Sequence, residues 1–133
     1  MRVEPYIYFN GRCEEAVEFY KQAVGAEVVL LTRNEDVPGS HAPAGAEKKI
    51  LHAELRIGES RVMASDGENS GTTEFKGIAL ALTAKDDAEA RSRFDALADG
   101  GAVTVPLMTT PFSSSFGMVA DRFGIMWMIS VGQ

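Results

Sequence analysis

One order of predicted secondary-structure elements occurs twice in this chain. Residues 4–66 and residues 76–132 are each predicted to form a strand, a helix and three further strands. The two halves share few letters, but their hairpins align at two glycines, Gly58 and Gly124. Neither half could cover its own sheet alone. The two βαβββ modules are therefore expected to pack into a single α+β domain over residues 1–133.

Hydrophobic periodicity defines the elements of the first module. Apolar residues at helical spacing predict a helix over 12–24, which Gly25 ends. The segment 33–49 contains several Pro, Gly and polar residues, so it is predicted to be a long loop, a kind of segment that is often functional. The strands of this module are predicted at 5–9, 28–31, 50–57 and 61–65.

The second module follows the same order with clearer helix signals. Asp86 with Glu89 three residues later is the pattern of a capping box, and Gly100 with Gly101 ends the helix. Pro106 cannot donate a backbone hydrogen bond, so it must lie at an edge or an end of a strand. The strands of this module are predicted at 77–82, 103–105, 116–120 and 125–131.

Composition narrows the range of partners. Thirteen Lys and Arg against nineteen Asp and Glu give a net charge of −6, which argues against nucleic-acid binding. The longest apolar run, 125–129, is too short to cross a membrane, and no secretory signal is visible, so a cytoplasmic protein is expected. The single cysteine, Cys13, lies on the apolar stripe of the first helix and is predicted to be structural.

Short stretches spread over nearly the whole chain carry a family resemblance; they are 5–11, 13–16, 19–20, 50–55, 64–66, 100–101, 106–107 and 121–128. Here the sequence resembles the PhnB-like branch of the vicinal oxygen chelate superfamily, which includes glyoxalase I, extradiol dioxygenases and the fosfomycin and bleomycin resistance proteins. The chain departs from that branch at 111–113, where the branch often carries Trp or Tyr and further glycines.

The resemblance implies an architecture and an assembly. Two curved mixed sheets would surround a cleft, with the helices outside. Members usually form homodimers, in which the cleft can be completed across the interface. The activity is not fixed by this fold, because the superfamily includes lyases, dioxygenases, transferases and drug-binding proteins.

The resemblance also implies where a metal would bind. Enzymes of the family hold a divalent metal with His, Gln or Glu from the first and last strand of each module. By alignment these positions fall at Glu4, Met63, Gly77 and Met128. Methionine sulfur is a poor ligand for Mg²⁺, Mn²⁺, Zn²⁺ or non-haem iron, and a catalytic metal needs about three protein ligands. We therefore expect no metal at the inherited site and no other cofactor.

The strand residues suggest a site for a small organic ligand. Tyr6 and Tyr8 alternate with residues that should pack under the helix, so the two tyrosines would line the cleft. His52 and Glu54 alternate in the same way, and His52 is a candidate general base or hydrogen-bond donor. Ordinary sheet packing and a structural histidine are the alternatives.

Two further residues are candidates for the same site. Asp66 follows a strand and could orient His52 or bind a polar group of the ligand, but a turn residue is the other interpretation. Trp127 lies in the last strand opposite Met126 and Met128, and either set could line the cleft. A divalent metal held at a relocated site by His52, Glu54 and Asp66 is the alternative to a metal-free protein.

These observations favour a metal-independent small-molecule-binding protein. Its mode of action would be similar to that of the bleomycin resistance proteins, which sequester a drug without catalysing a reaction on it. The alternative is a glyoxalase-type lyase or dioxygenase that depends on a metal or on His52. Members of this branch often carry a methyltransferase label. The sequence does not support that label, since it has no Gly-rich loop after the first strand of a doubly wound sheet.

Overall fold

The computed structural model describes residues 1–39, 42–67 and 73–132. His41, in the predicted loop, lies outside the described residues. The chain divides into two compact units, Met1–Thr73 and Glu74–Gln133, so the division falls between the two predicted modules. Each unit contains one helix and one four-stranded mixed sheet, which confirms the α+β fold class. In the described part of the chain, no helix has the length and hydropathy to cross a membrane.

The first unit has the predicted βαβββ order. Its sheet has the strand order β1-β4-β3-β2, with β1 parallel to β4 and the other pairs antiparallel. The predicted loop begins after β2 and includes a short 3₁₀ helix at Asn34–Asp36. The elements are β1 (Tyr6–Tyr8), α1 (Cys13–Val24), β2 (Glu27–Arg33), β3 (Ile50–Ile57) and β4 (Ser60–Ser65).

The second unit repeats the arrangement. Its sheet has the order β5-β8-β7-β6, with β5 parallel to β8 and the other pairs antiparallel. The elements are β5 (Leu80–Ala84), α2 (Asp87–Ala98), β6 (Ala102–Thr110), β7 (Ser113–Ala120) and β8 (Met126–Val131). One half of the predicted capping box is present, because the Asp86 side chain accepts the backbone N–H of Glu89. The Glu89 carboxylate accepts the backbone N–H of Lys85, one residue before the cap, and not that of Asp86.

Strand β6 is longer than the sequence predicts. The sequence predicts that a strand starts at 103–105, and in the structure this strand continues through Pro106 to Thr110. Because β6 is the terminal strand of its sheet, the proline removes a donor that an edge strand does not need. The edge position predicted for Pro106 is therefore confirmed. The register of β6 against β7 is irregular on both sides of this proline.

Each helix covers one face of the sheet of its own unit. In the first unit, the buried stripe of α1 includes Ala16, Val17 and Tyr20, and the ring of Tyr20 lies 6.1 Å from that of Phe9. In the second, Phe94 of α2 packs so closely on β7 that a Cβ at Gly117 would lie 2.7 Å from its ring. The glycine in the middle of β7 is therefore what lets the helix approach the sheet.

A buried carboxylate joins α1 to the sheet of the first unit. Asp66 accepts the backbone N–H of Cys13 at 2.9 Å and that of Ile50 at 2.6 Å. Cys13 is the first residue of α1 and Ile50 is the first of β3, so one side chain fixes where two elements begin. The first turn of the helix also favours a negative charge. Asp66 therefore has a structural role.

Replacing Asp66 should lower the free energy of unfolding. Asp66→Ala leaves two buried N–H groups without their acceptor, so we expect a loss of about 2–4 kcal/mol. Urea denaturation followed by circular dichroism would measure it. The matched control is Asp95→Ala on the exposed face of α2, for which about 0.5 kcal/mol or less is expected. Equal losses in the two variants would contradict the structural role.

The thiol of Cys13 should be unreactive in the folded protein. It is fully buried, and burial together with the nearby Asp66 and Glu14 carboxylates raises the pKa of Cys13 to about 12. The thiolate that reacts with disulfide reagents is therefore scarce at pH 8. We expect native protein to react with Ellman's reagent far more slowly than protein in 8 M urea, the internal control. Similar rates in both conditions would contradict this burial.

Candidate functional site

The sheet of the first unit has one face under α1 and a second face, here called the open face. The register identifies the side chains on the open face. Glu54 lies directly opposite Met63, Met63 lies beside Tyr6, and His52 lies opposite Thr32. Successive residues of a strand alternate between faces, so Tyr8 is on the open face with Tyr6. The alternation that predicted this set is thus present in the structure.

Aromatic rings are adjacent on the open face. The ring centroids of Tyr6 and Tyr8 are 5.0 Å apart, and those of Tyr6 and His52 are 5.5 Å apart in a stacked arrangement. The exposed fraction is 37% for Tyr6 and 56% for Tyr8. The three rings therefore lie side by side, inclined to each other by 34° for Tyr6 and Tyr8 and by 28° for Tyr6 and His52, and the two tyrosines remain partly exposed.

A chain of polar contacts continues from these rings. The Tyr6 hydroxyl lies 2.9 Å from His52 Nδ1, and His52 Nε2 lies 3.7 Å from Glu54 Oε1. The same Glu54 oxygen lies 3.5 Å from the Arg61 guanidinium, whose Nε is 3.8 Å from Glu4. Arg61 thus lies between two half-buried carboxylates and compensates their charge.

The Tyr6 hydroxyl can be the donor of the first hydrogen bond, whose direction depends on the tautomer of His52. Partial burial, and next the neighbouring Tyr8, raise the pKa of the Tyr6 hydroxyl above its ordinary value. Tyr6 therefore keeps its proton at neutral pH and can donate it to His52 Nδ1. In the neutral imidazole the other nitrogen, Nε2, then carries a proton and faces the Glu54 carboxylate, which is the favourable orientation.

Asp66 does not join the open-face group. Its carboxylate is buried and points to the start of α1, where two backbone N–H groups use both of its oxygens. The prediction that Asp66 orients His52 or binds a ligand is therefore wrong, and the turn-residue interpretation was nearer. The relocated metal site that required His52, Glu54 and Asp66 together is likewise not assembled.

Trp127 also lies away from any open face. It is 3% exposed, and its indole Nε1 donates to Asp121 at 2.9 Å. The same carboxylate accepts the backbone N–H groups of Phe123 and Ile125, so Trp127 helps to close the turn before β8. Its predicted role in ligand binding is wrong for this reason. Met126 and Met128, on the opposite face of β8, are the half-buried alternatives.

The residues at the inherited metal positions do not fit a divalent metal. In the first unit the Glu4 carboxylate is already near Arg2 and Arg61, and Met63 offers only a thioether. In the second unit the corresponding positions are a glycine and a second thioether, Gly77 and Met128. Within residues 1–39, 42–67 and 73–132, no three His, Cys, Asp or Glu side chains are grouped to hold a metal ion. Hard divalent ions need oxygen or nitrogen donors.

Arg61 is the residue of this group that sequence reasoning missed. It lies two positions before Met63 on β4, so strand alternation places it on the same face. It is also directly opposite Arg56 across the β3–β4 pair. The sequence held a partial signal, because Arg61 alternates with Met63 in the predicted strand 61–65 and therefore lies on the same face. Partly buried carboxylates such as Glu4 and Glu54 require a cation.

Comparisons with known proteins identify the family. The family model described as 3-demethylubiquinone-9 3-methyltransferase matches residues 1–130. The chain belongs to this PhnB-like family. Protein YjdN of Escherichia coli strain K12 is 33% identical over 140 residues, which cover 98% of this chain and 95% of YjdN.

Two solved structures are similar in both sequence and fold. Protein PA1353 from Pseudomonas aeruginosa has 39% identity and a TM-score of 0.87, with 100% of this chain and 98% of that chain covered. The PhnB protein from Bacillus cereus has 27% identity and a TM-score of 0.82, with 99% and 100% covered. These two similarities support the assignment of the chain to the PhnB-like family.

A more distant structure shares the fold of this PhnB-like chain. The fosfomycin resistance protein FosX from Mesorhizobium loti has 13% identity and a TM-score of 0.69, with 100% of this chain and 92% of that chain covered. At this identity the likeness shows the fold alone. A shared fold does not fix the activity.

The Tyr6 hydroxyl should titrate above the ordinary tyrosine value. The pKa of the Tyr6 hydroxyl is raised chiefly by partial burial, so the hydroxyl keeps its proton as the pH passes 10. The stability that the neutral phenol contributes to the folded state is lost only as the pH rises through this raised pKa. An NMR titration of the Tyr6 ring carbon Cζ would measure the midpoint. Tyr8→Ala, which uncovers the ring, should bring the midpoint down; a midpoint of 10 or less in the parent protein would contradict the structure.

Proposed function

We propose that this chain is a small-molecule-binding protein and that the open face of the first unit takes an organic ligand with a planar aromatic part. The observation that carries the proposal is the pair of adjacent tyrosine rings, Tyr6 and Tyr8, which remain 37% and 56% exposed beside the half-buried His52–Glu54 pair. Exposed aromatic rings next to a few convergent polar groups are typical of sites for organic ligands.

Each part of the group would recognise a different part of the ligand. A planar ring would stack on Tyr8, since offset stacking contributes about 0.5–1.5 kcal/mol beyond the area buried. The Met63 thioether, beside Tyr6, supplies an adaptable apolar contact. Polar groups at the edge of the ligand would meet the Tyr6 hydroxyl and the Glu54 carboxylate, whose positions the contacts to His52 and Arg61 hold.

The charges on the open face bear on the kind of ligand. Glu4 and Glu54 are balanced by Arg61 and Arg2, so the group carries no large net charge. A strongly charged ligand would need to displace one of these ion pairs. We therefore propose that the ligand is a neutral or weakly charged aromatic compound.

A second candidate function is acid–base catalysis that depends on His52. The favouring observation is the continuous path from the Tyr6 hydroxyl through the imidazole to the Glu54 carboxylate. When a ligand gives a proton to the Tyr6 oxygen, the Tyr6 proton can pass to His52 Nδ1, and the imidazolium formed faces Glu54. The products of this step are a ligand anion and an imidazolium, so no co-reactant is required.

Methyl transfer, the activity in the family description, is not the function we propose. Nucleotide-type cofactors bind at a Gly-rich loop beyond the carboxyl ends of a doubly wound parallel sheet. Each sheet here is mixed and four-stranded, with a single parallel pair. Within the described residues, the connection from β1 to α1 contains one glycine, Gly11.

We also propose that the protein forms a homodimer, because members of the family that the sequence resembles usually do.

The proposal is tested by ligand screening with a pair of matched variants. A library of small aromatic compounds, including a bleomycin-type drug, would be screened by thermal shift and followed by calorimetry. A compound at about 100 times its Kd should add about 2.7 kcal/mol of stability. Tyr8→Ala should then weaken binding about tenfold, whereas Phe112→Ala, an equally exposed ring (57%) on the second unit, should not change it.

The outcomes separate the candidates. Loss of affinity in Tyr8→Ala alone supports the proposed site. Equal affinity in both variants would overturn it, as would a library without a single saturable binder. His52→Gln separates binding from catalysis: unchanged affinity with loss of any turnover of the bound compound would favour the second candidate.

A further inference from the structure

Methionines are concentrated in the sheet of the second unit. Four of the six methionines of the chain lie on β6, β7 and β8. Three of them, Met118, Met126 and Met128, are half-buried, while Met108 is exposed. The sheet register and one side-chain contact of Met126 define how the three side chains are arranged on the sheet.

The three methionines share the face of the sheet that α2 does not cover. Met126 and Met128 alternate on β8 with Trp127 and Ile129, which are buried on the helix side. Met118 lies directly opposite Met128 in the β7–β8 pair, so its side chain is on the same face. We call Met118, Met126 and Met128 the methionine cluster.

The side chain of Met126 turns toward Met118. Met126 lies opposite Ala120, a small residue two positions from Met118 on β7. Its sulfur reaches the hydroxyl of Thr104 on β6, which donates to it at 3.7 Å, and the same hydroxyl donates to the Met118 carbonyl at 3.2 Å. The thioether of Met126 therefore crosses β7 and lies beside the Met118 backbone, with Met128 opposite.

The surroundings of the cluster contain no ionisable group on the same strands. Strands β6, β7 and β8 have neither Asp, Glu, Lys, Arg, His nor Cys. A hard divalent ion would find no oxygen or nitrogen donor with a charge to compensate its own. Thioether sulfur is a soft, neutral donor, and soft donors select monovalent copper over zinc, magnesium or manganese.

We propose that the methionine cluster binds one soft monovalent metal ion, Cu(I), through three thioether sulfurs. Binding involves no electron transfer, because the ion enters and stays as Cu(I). No proton is released either, since a thioether carries none. Affinity should therefore be the same at pH 5.5 and at pH 8, unlike that of a site built from Cys or His. The inference is independent of the ligand proposed for the first unit.

The test uses Ag(I), a redox-inert ion with the same preference for sulfur, added as silver nitrate in chloride-free buffer. Protein labelled with carbon-13 in the methionine methyl groups would be followed by NMR, and native mass spectrometry would count the bound ions. We expect one equivalent to bind saturably and to shift the methyl signals of Met118, Met126 and Met128. The signals of Met63 and Met108 should stay in place.

Conservative variants test whether the methionine cluster binds the metal through its sulfurs or is only an apolar surface. Leucine keeps the volume and apolar character of methionine but lacks the sulfur. We expect Met128→Leu to weaken Ag(I) binding at least tenfold and the triple variant M118L/M126L/M128L to abolish it, with circular dichroism spectra unchanged. Met63→Leu and Cys13→Ala are the matched controls and should bind as the parent protein does.

Three outcomes would overturn the proposal. One is binding that survives in the triple leucine variant, and a second is binding that Cys13→Ala removes, which would assign the ion to the thiol. The third is that Ag(I) leaves the methyl signals of Met118, Met126 and Met128 in the parent protein unchanged. Tyr8→Ala should bind Ag(I) normally, so failure here and failure of the organic-ligand proposal are distinguishable.

Discussion

The hydrogen bonds that the Asp66 carboxylate accepts hold the first unit in its functional form. They join the first residue of α1 to the first residue of β3, and so hold the start of the helix against the sheet face that it covers. Once that face is covered by apolar side chains, the other face is free to carry polar and aromatic groups. The position of Tyr6, Tyr8, His52 and Glu54 on the open face is a consequence of this choice of face.

The sequence predicted which strand residues lie on the same face of a sheet, but it did not predict the hydrogen-bond partners of every side chain. Period-2 patterns separated Tyr6 and His52 from their buried neighbours, because alternation is a local property of a strand. Asp66 and Trp127 were misassigned because their partners are set by the tertiary fold: the Asp66 carboxylate bonds to an N–H group 53 residues away. Alternation likewise gave two faces for Trp127 without saying which one α2 would cover.

The family and the site carry different kinds of information. Matches over nearly the whole chain assign the PhnB-like family, and the shared fold extends to a fosfomycin resistance protein. At the four positions where the family resemblance implies metal ligands, two residues of this chain, Met63 and Met128, are thioethers. Changing a donor from oxygen to sulfur preserves the backbone while changing which ligand can bind, so function on this fold is determined by a few side chains.

The burial of Cys13 has a practical consequence for studying this protein. Because the sole thiol of the chain is enclosed by α1 and inert near neutral pH, a cysteine introduced at an exposed position would be the sole reactive thiol of the folded molecule. Spin labels and fluorophores could then be attached at one chosen place without first removing the native residue. A pair of such cysteines, one in each unit, would allow label-to-label distances to be measured without a signal from the native thiol.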